Sequence, residues 1–346
     1  MKILYLDFLY PESHLRLDIN HIKRLSKIAK IYVVSPRGRY NNLPSEVEVI
    51  ERDSLIVKKG VISSRLSSLK IMVLSAMISF KISPDYIFVS SYETMMFAPG
   101  RLIFGNKNKI ILLHHFNIDE LTNKLKRSFF KSYMNKVEHV VFEDFIKDYL
   151  VDAFDINPNQ IHVLPHHTNV NSSNKINEMK YSCVGLSNSN DENIISDIVN
   201  TEKSKELLKK AGCKVILKSK LIEFDNGYLK VIKGFVENYI FEEYLNNSQC
   251  IYMPFPSTFH YRMSGTLIDA FSNNKFVYGS NIELMQHYTQ RYPEICKIID
   301  GAEDFFRYVV NIKSEYSTAQ IENFKRFKDA HSDEKIESIL RNVFMK

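Results

Sequence analysis

The chain has 346 residues, 45% hydrophobic and 25% charged, an ordinary globular composition with length for two cores of typical size. Its formal net charge of +6 is too mild to imply nucleic acid, although it suits anionic ligands or lipid headgroups. The four cysteines, Cys183, Cys213, Cys250 and Cys296, form no CxxC pair, which argues against zinc and redox motifs and leaves reduced, buried thiols as the expectation.

The opening residues, Met1 to Asp7, meet charge too early for a signal peptide, and no apolar run reaches the length that spans a bilayer. A cytoplasmic location is expected, with the inner face of the plasma membrane as a surface the protein can approach. Residues 2–7 read as a buried strand, followed by a polar loop over 10–16 and a helix marked by Leu17, Ile22, Leu25 and Ile28. The alternation continues with strands at 31–35 and 47–50, a helix at 62–80, strands at 86–90 and 110–114, a helix at 121–137 and a strand at 140–143. Strands alternating with helices imply a parallel sheet covered on both faces.

After a helix at 146–154 and a strand at 161–164, the Pro/Asn/Ser stretch from Pro165 to Asn174 has no apolar period and reads as a linker. Alternation then restarts. Strands are expected at 182–186, 215–218, 229–236, 250–254 and 276–279, with a broken helix at 194–208 and helices at 239–245, 266–272 and 318–345. The fold class is therefore α/β, with two doubly wound, Rossmann-like halves: residues 1–168, a linker at 169–180, residues 181–318, and a helical segment at 319–346 expected to pack back on the first half. Such sheets bind ligands outside the carboxyl ends of their strands, so the expected site is a cleft between the halves.

The most informative segment runs from Met253 to Ala270: an apolar strand, a turn containing Arg262, then Ser264, Gly265 and Thr266 at a helix start. Ser264 is placed to cap that helix, Gly265 leaves backbone N–H groups uncovered, and the helix end adds partial positive charge to the guanidinium. A diphosphate would sit well there. Lys218 and Lys220 follow a neighbouring strand and could neutralise the same group.

Residues 140–280 resemble a GT-B glycosyltransferase, of the family 1 and 4 types that build bacterial surface polysaccharides. The resemblance rests on the phrase Ile156 to His166 ahead of the linker, on Lys233-Gly234-Phe235-Val236, on Ile251-Tyr252-Met253-Pro254, and on Ser264 to Ala270 with Phe276 to Ser280, in that order. It implies a UDP- or GDP-linked sugar donor with no cofactor and no metal. Phe235 and Val236 would lie beside the base, Arg262 and the Ser264 to Thr266 amides would hold the pyrophosphate, and Asp269 would meet the ribose. Where many retaining members carry two glutamates eight residues apart, this chain has Tyr261 and Asp269.

In the first half, His14 and Arg16 follow the first strand, Tyr92 and Glu93 the fourth, and His114, His115 and Asn117 the fifth. A general base for an acceptor hydroxyl needs a histidine or carboxylate within hydrogen-bond reach, which makes His114, His115, Glu93 and His14 the candidates. Arg262 and Lys218 are the expected stabilisers of the leaving diphosphate. His14, Arg16, Tyr92 and Asn117 are expected at the acceptor. The paired histidines at 114/115 and 166/167 point to opposite faces if extended, so no metal site is expected.

The helix at 121–137 carries Lys124, Lys126, Arg127, Lys131 and Lys136 among Phe129, Phe130, Tyr133 and Met134. That composition fits a solvated face with an apolar side in the core better than an anionic membrane contact. The expected partners are a nucleotide-sugar donor and a saccharide or lipid-linked acceptor. A sugar-nucleotide epimerase of the same layout and a non-catalytic GT-B-like subunit are the rival readings.

Overall fold

The computed structural model describes residues 1–57, 60–105, 109–168, 179–312 and 315–345. The chain forms two compact units, one of Met1–His167 with Tyr261–Met263 and Asp333–Lys346, the other of Thr168–His260 with Ser264–Ser332. The expected linker at 169–180 lies outside the described residues except for its last two positions.

In the first unit, β1 (Lys2–Asp7), β2 (Lys30–Ser35), β3 (Glu48–Glu51), β4 (Tyr86–Ser91), β5 (Lys109–Leu113), β6 (Glu138–Val141) and β7 (Ile161–Val163) form a parallel sheet in the order β3-β2-β1-β4-β5-β6-β7. Apolar residues fill both sides of each central strand, because helices cover both faces. In β1, Leu4 and Leu6 enter one core while Ile3 and Tyr5 enter the other. The covering helices are α1 (Leu15–Ser26), α2 (Val61–Ile82), α3 (Thr94–Ile103), α4 (Lys124–Tyr133) and α5 (Asp144–Phe154).

Two local features depart from the sequence reading. Helix α3 is absent from that reading because Pro99 and Gly100 argue against it, yet the Glu93 carboxylate caps it by accepting from the Met96 N–H at 2.7 Å. Gly100 also admits the Met72 thioether, which an added Cβ would strike. The expected helix at 121–137 is a 3-10 turn (Asp119–Thr122), then α4, then another turn (Met134–Lys136), divided where Asn123 accepts from the Leu125 and Lys126 N–H groups.

In the second unit, β8 (Tyr181–Gly185), β9 (Val215–Ser219), β10 (Phe224–Asp225), β11 (Leu229–Lys233), β12 (Ser248–Met253), β13 (Phe276–Gly279) and β14 (Cys296–Ile298) take the order β10-β11-β9-β8-β12-β13-β14. All neighbours are parallel except β10 with β11. Helices α6 (Glu192–Lys205), α7 (Leu207–Ala211), α8 (Asn238–Asn246), α9 (Gly265–Ser272), α10 (Glu283–Arg291), α11 (Gly301–Val309) and α12 (Thr318–Ala330) connect and cover them. Strand β11 ends at Lys233 rather than 236 because Gly234 takes a φ of 90°, open to glycine at no steric cost. Three of the four cysteines are buried as free thiols, whereas Cys213 is only half-buried, in the turn after α7.

The expected terminal helix is two helices. Helix α12 stays with the second unit, whereas α13 (Asp333–Phe344) belongs to the first, where Ile336, Leu340, Val343 and Phe344 enter the core face shared with Ile3 and Tyr5. Arg24 of α1 and Lys27 at its C-cap pair with Asp333 and Glu337 of α13. Leu340 is 1% exposed, so Leu340→Ala should cost the first unit roughly 2–5 kcal/mol. Urea unfolding followed by circular dichroism measures this, and a loss within error would mean that α13 contributes nothing to that core.

Candidate functional site

In the second unit the parallel strands β8, β9 and β12 deliver their carboxyl ends to one edge of the sheet. The strands crowd there: a Cβ on Gly185 would lie 2.9 Å from the Tyr252 carbonyl oxygen and 3.0 Å from a Leu217 methyl. The buried Asn190 then ties the edge together, its Nδ2 donating to the carbonyl oxygens of Gly185 and Lys218, each at 2.9 Å. The Asp191 N–H donates to the Pro254 oxygen at 2.6 Å, so one short loop holds the ends of three strands.

That edge presents Lys218, whose ammonium donates to the Asn188 side chain and lies 5.8 Å from the centre of the Phe235 ring. Burial, and then the charge of Lys220, lower the Lys218 pKa from its ordinary value. Phe235 is 76% exposed, Val236 half-buried and Lys220 exposed. Glu192 fixes the backbone at Lys220 and Leu221 by accepting their N–H groups at 2.8 and 3.3 Å, and it also takes the Ser219 hydroxyl.

Ser264 stands at the N-cap of α9 with extended backbone, but its hydroxyl makes no cap; it turns to the Met253 sulfur at 3.8 Å. The expectation that Ser264 caps the helix is therefore corrected. The first-turn amides carry no side-chain cap, Gly265 is exposed, and a Cβ on it would meet nothing within 4 Å. Thr266 and Asp269 are half-buried on the same helix.

Arg262 is placed differently from Lys218 and Gly265. Its segment, Tyr261–Met263, belongs to the first unit, where the Tyr261 ring stacks on Tyr149 at 3.6 Å and Arg262 Nε lies 2.9 Å from Asp119 Oδ2. Burial lowers the Arg262 pKa, opposed by the Asp119 charge. Asp119 did not stand out in the sequence, because a lone aspartate in a polar turn carries no spacing signal.

The carboxyl edge of the first sheet gathers the histidines. His115, just after β5, stacks on His14, just after β1, with ring centres 3.9 Å apart. A backbone hydrogen bond at Ser90 holds the His115 ring, while its Nε2 and His14 Nδ1 have no hydrogen-bond partner among the described residues. Burial, and then the Arg39 charge, push the His14 pKa down to about 4; burial and the neighbouring histidines hold His115 well below the ordinary histidine value. Both rings are neutral at pH 7.

His114 has another situation. Its Nδ1 lies 3.0 Å from the Tyr92 hydroxyl and its Nε2 2.8 Å from His139 Nδ1, while His139 Nε2 lies 2.9 Å from the Met134 carbonyl oxygen. Since a carbonyl only accepts, His139 donates through Nε2, accepts through Nδ1 from His114, and His114 accepts from Tyr92: one neutral tautomer chain satisfies every group. His114, Tyr92 and Asn117 are buried, the last donating to the Tyr92 carbonyl oxygen, and Glu93 is the cap of α3. These four hold the fold at the edge. Arg16 is exposed.

A cavity of about 880 Å³ opens among the loops after β1, β2 and β3, lined by Leu9, Leu15, Leu55, Ile56, Arg37 and Arg39 among others. Beneath it, the buried Asp7 accepts from the Leu9 and Tyr10 N–H groups at 2.8 and 2.7 Å and faces Arg39 at 3.8 Å. Burial and the charge of Asp7 push the neighbouring Asp18 carboxyl up to about 8, so it keeps its proton at pH 7. Among the described residues no group of three or more His, Cys, Asp or Glu side chains is arranged to hold a metal ion.

No protein-family model matches the sequence, and no curated protein matches it. Solved structures do. A glycosyltransferase from Rickettsia africae superposes with a TM-score of 0.63 at 12% identity, covering 99% of this chain and 97% of that one. A UDP-GlcNAc 2-epimerase from Methanocaldococcus jannaschii gives 0.59 at 14% identity, covering 99% and 100%. A mutant of TarM from S. aureus, in complex with fondaparinux, alpha-GlcNAc-glycerol and UDP, gives 0.58 at 12% identity, covering 81% and 59%. The fold is GT-B, with two Rossmann-like α/β units.

Asp18 supplies a stability test with a definite sign. The folded chain keeps its proton up to about pH 8 while the unfolded chain releases it near 3.8, so folding binds an extra proton at Asp18 across that window and the Asp18 contribution to wild-type stability falls as pH rises. Asp18→Asn has no such proton. Its stability relative to wild type should climb between pH 5 and 7.5 by up to about 1.4 kcal/mol per pH unit; a flat difference in urea midpoints would show that Asp18 is ionised.

Proposed function

We propose that this chain is a glycosyltransferase that moves a hexose from a UDP- or GDP-linked donor to a saccharide or lipid-linked acceptor, in the synthesis of a bacterial surface polysaccharide. The observation that carries the reading is the uncapped, open amino end of α9 on the same sheet edge as Lys218. Backbone N–H groups at a helix start, with a lysine beside them, form a site for a diphosphate.

The work divides between the units. In the second, the amides of Gly265 and Thr266 with Lys218 and Lys220 take the donor's diphosphate, Phe235 and Val236 flank the base, and Asp269 accepts from the ribose. Lysines and amides supply the positive charge, so the reading needs no metal. In the first, His14 and Arg16 border the acceptor, and His115 is the base.

The acceptor hydroxyl oxygen bonds to the anomeric carbon as the bond from that carbon to the phosphate oxygen breaks. The nucleoside diphosphate keeps the electron pair, and the hydroxyl proton goes to His115 Nε2. Charge that develops on the leaving group is met by groups already oriented, which lowers the barrier.

Lys218→Ala should weaken binding of UDP or GDP by about tenfold, the size expected for one charge-assisted hydrogen bond of ~1.5 kcal/mol; calorimetry with unchanged affinity would remove Lys218 from the donor site. A base whose pKa lies well below 6.5 stays competent in weak acid. The acidic limb of kcat/KM should therefore fall below pH 6, and His115→Gln should lower kcat by about 10²-fold or more. A limb at pH 6.5 or above would point to an unburied histidine instead.

Epimerases share this fold, with TM-scores of 0.59, which keeps one rival reading in play. Incubation with the nucleotide-sugar alone separates the two, because an epimer formed without acceptor excludes a transferase mechanism.

A further inference from the structure

Helix α2 puts its large apolar residues on the wrong side for a soluble protein. Its inner face is built of Ser67, Ser68, Ser75, Ser79 and Ala76 with Ile71 and Met72, all buried, while Ile62, Leu66, Val73, Met77 and Phe80 are between 38% and 76% exposed. The exposed residues recur at steps of 4, 7, 4 and 3, so at 100° per residue they form one stripe opposite the serines. Small inner residues let the helix backbone lie close to its neighbours, which leaves the bulky groups outside. Helix α3, packed on α2 at Gly100, adds Leu102 at 69% exposure.

Charge selects the occupant. Helix α2 contains Arg65, Lys70 and Lys81 and no acidic residue; Lys70 and Lys81 lie together on one flank of the stripe, and Arg65, on the other, pairs with Glu93 at 3.5 Å. Across residues 54–109 the sequence carries eight basic and two acidic side chains. A second copy of the chain packed stripe to stripe about a two-fold axis would set like charges against one another. An anionic bilayer accepts both the stripe and the basic flank of Lys70 and Lys81. At 22 residues the helix is about 33 Å long, and no described helix is long and apolar enough to cross a membrane, so α2 would lie in the interface.

We propose that the outward face of α2 docks on an anionic lipid bilayer. The 880 Å³ cavity reaches the start of this helix through Gly60 and Ser64 and includes Ile56, 64% exposed. The docked helix therefore sets the mouth of that cavity at the lipid surface, and the acceptor class is lipid-linked; that last clause rests on the transferase reading. Helix α4 does not offer such a face, because it turns Phe130 and Tyr133 into the core and ties Lys126 to Glu120.

The test uses the full chain without nucleotide: flotation with vesicles of phosphatidylcholine alone or mixed with phosphatidylglycerol. The chain should float with the mixed vesicles, less so at high salt, and sink with phosphatidylcholine alone. The triple variant Leu66→Glu, Met77→Glu, Phe80→Glu should lose binding by about tenfold or more, since three apolar anchors leave the interface. Lys70→Glu with Lys81→Glu, which leaves the apolar stripe whole, should lose the preference for phosphatidylglycerol. Thermal unfolding of both variants should match wild type. Failure of the wild type to float, equal flotation of the variants, or a dimer in sedimentation equilibrium that the triple variant dissolves without any vesicle binding would each overturn the proposal. None of these readouts requires sugar transfer, so failure of the transferase reading would leave them interpretable.

Discussion

One side-chain amide sets the edge on which the candidate donor site rests. A parallel strand that ends leaves its last carbonyl groups without ladder partners, and a buried carbonyl without a hydrogen bond costs about 1–3 kcal/mol. Asn190 answers for two strands at once, since its Nδ2 carries two hydrogens and spends both on Gly185 and Lys218. The backbone of Lys218 is thereby fixed. Its ammonium is in turn held by Asn188 and faces Phe235, so the charge arrives at the edge with few rotamers open to it. The pattern repeats at Glu192, which fixes the backbone of Lys220 and leaves that side chain exposed.

The histidines of the first unit show how hydrogen-bond inventory separates a structural role from a chemical one. His114 and His139 are both buried and both neutral, yet every nitrogen in their chain is spoken for, from Tyr92 to the Met134 carbonyl. His115 is the next residue and is also held neutral by burial, but one nitrogen is left over. Identity and pKa direction are the same for the two. The difference comes from their register relative to β5: His114 donates its backbone N–H to the Val140 carbonyl oxygen as the last ladder bond, on a side of the edge closed by α4, whereas His115 leaves the sheet and meets His14.

Legibility in the sequence follows the same line. The central strands of both sheets announced themselves because a parallel sheet buried on both faces needs continuous apolar runs, and β1, β4, β9, β12 and β13 are such runs; the outermost β10 and β14, two and three residues long, were not read. Helices α3, α10 and α11 did not: α3 contains Pro99 and Gly100, α10 buries only Leu284, Met285 and Tyr288 among polar residues, and α11 is a nine-residue segment that buries Phe305, Phe306 and Val309. At the edges, Lys218 and Gly265 were legible because charge and glycine stand out next to a strand end. Asn190, Glu192 and Asp119 were not, because each acts by accepting or donating to a backbone or a partner far off in sequence. Ser264 illustrates the limit from the other side. Its position as N-cap was legible, but the direction of its hydroxyl depends on Met253, eleven residues earlier.

Arg262 shows why the fold alone does not assign the chemistry. An arginine just ahead of a helix start looks like a diphosphate ligand, but a phosphate that recruits this guanidinium has to displace Asp119 at 2.9 Å and also disturb a segment stacked through Tyr261 on Tyr149. Breaking a half-buried ion pair removes the guanidinium that balances the Asp119 charge, a cost the new contact must exceed. Among the described residues the amides of α9 face no such competitor, since their cap residue has turned away to Met253. Of the two sources of positive charge that the sequence set side by side, the helix end is the one that no described side chain caps, and the proposed diphosphate site is built outward from it.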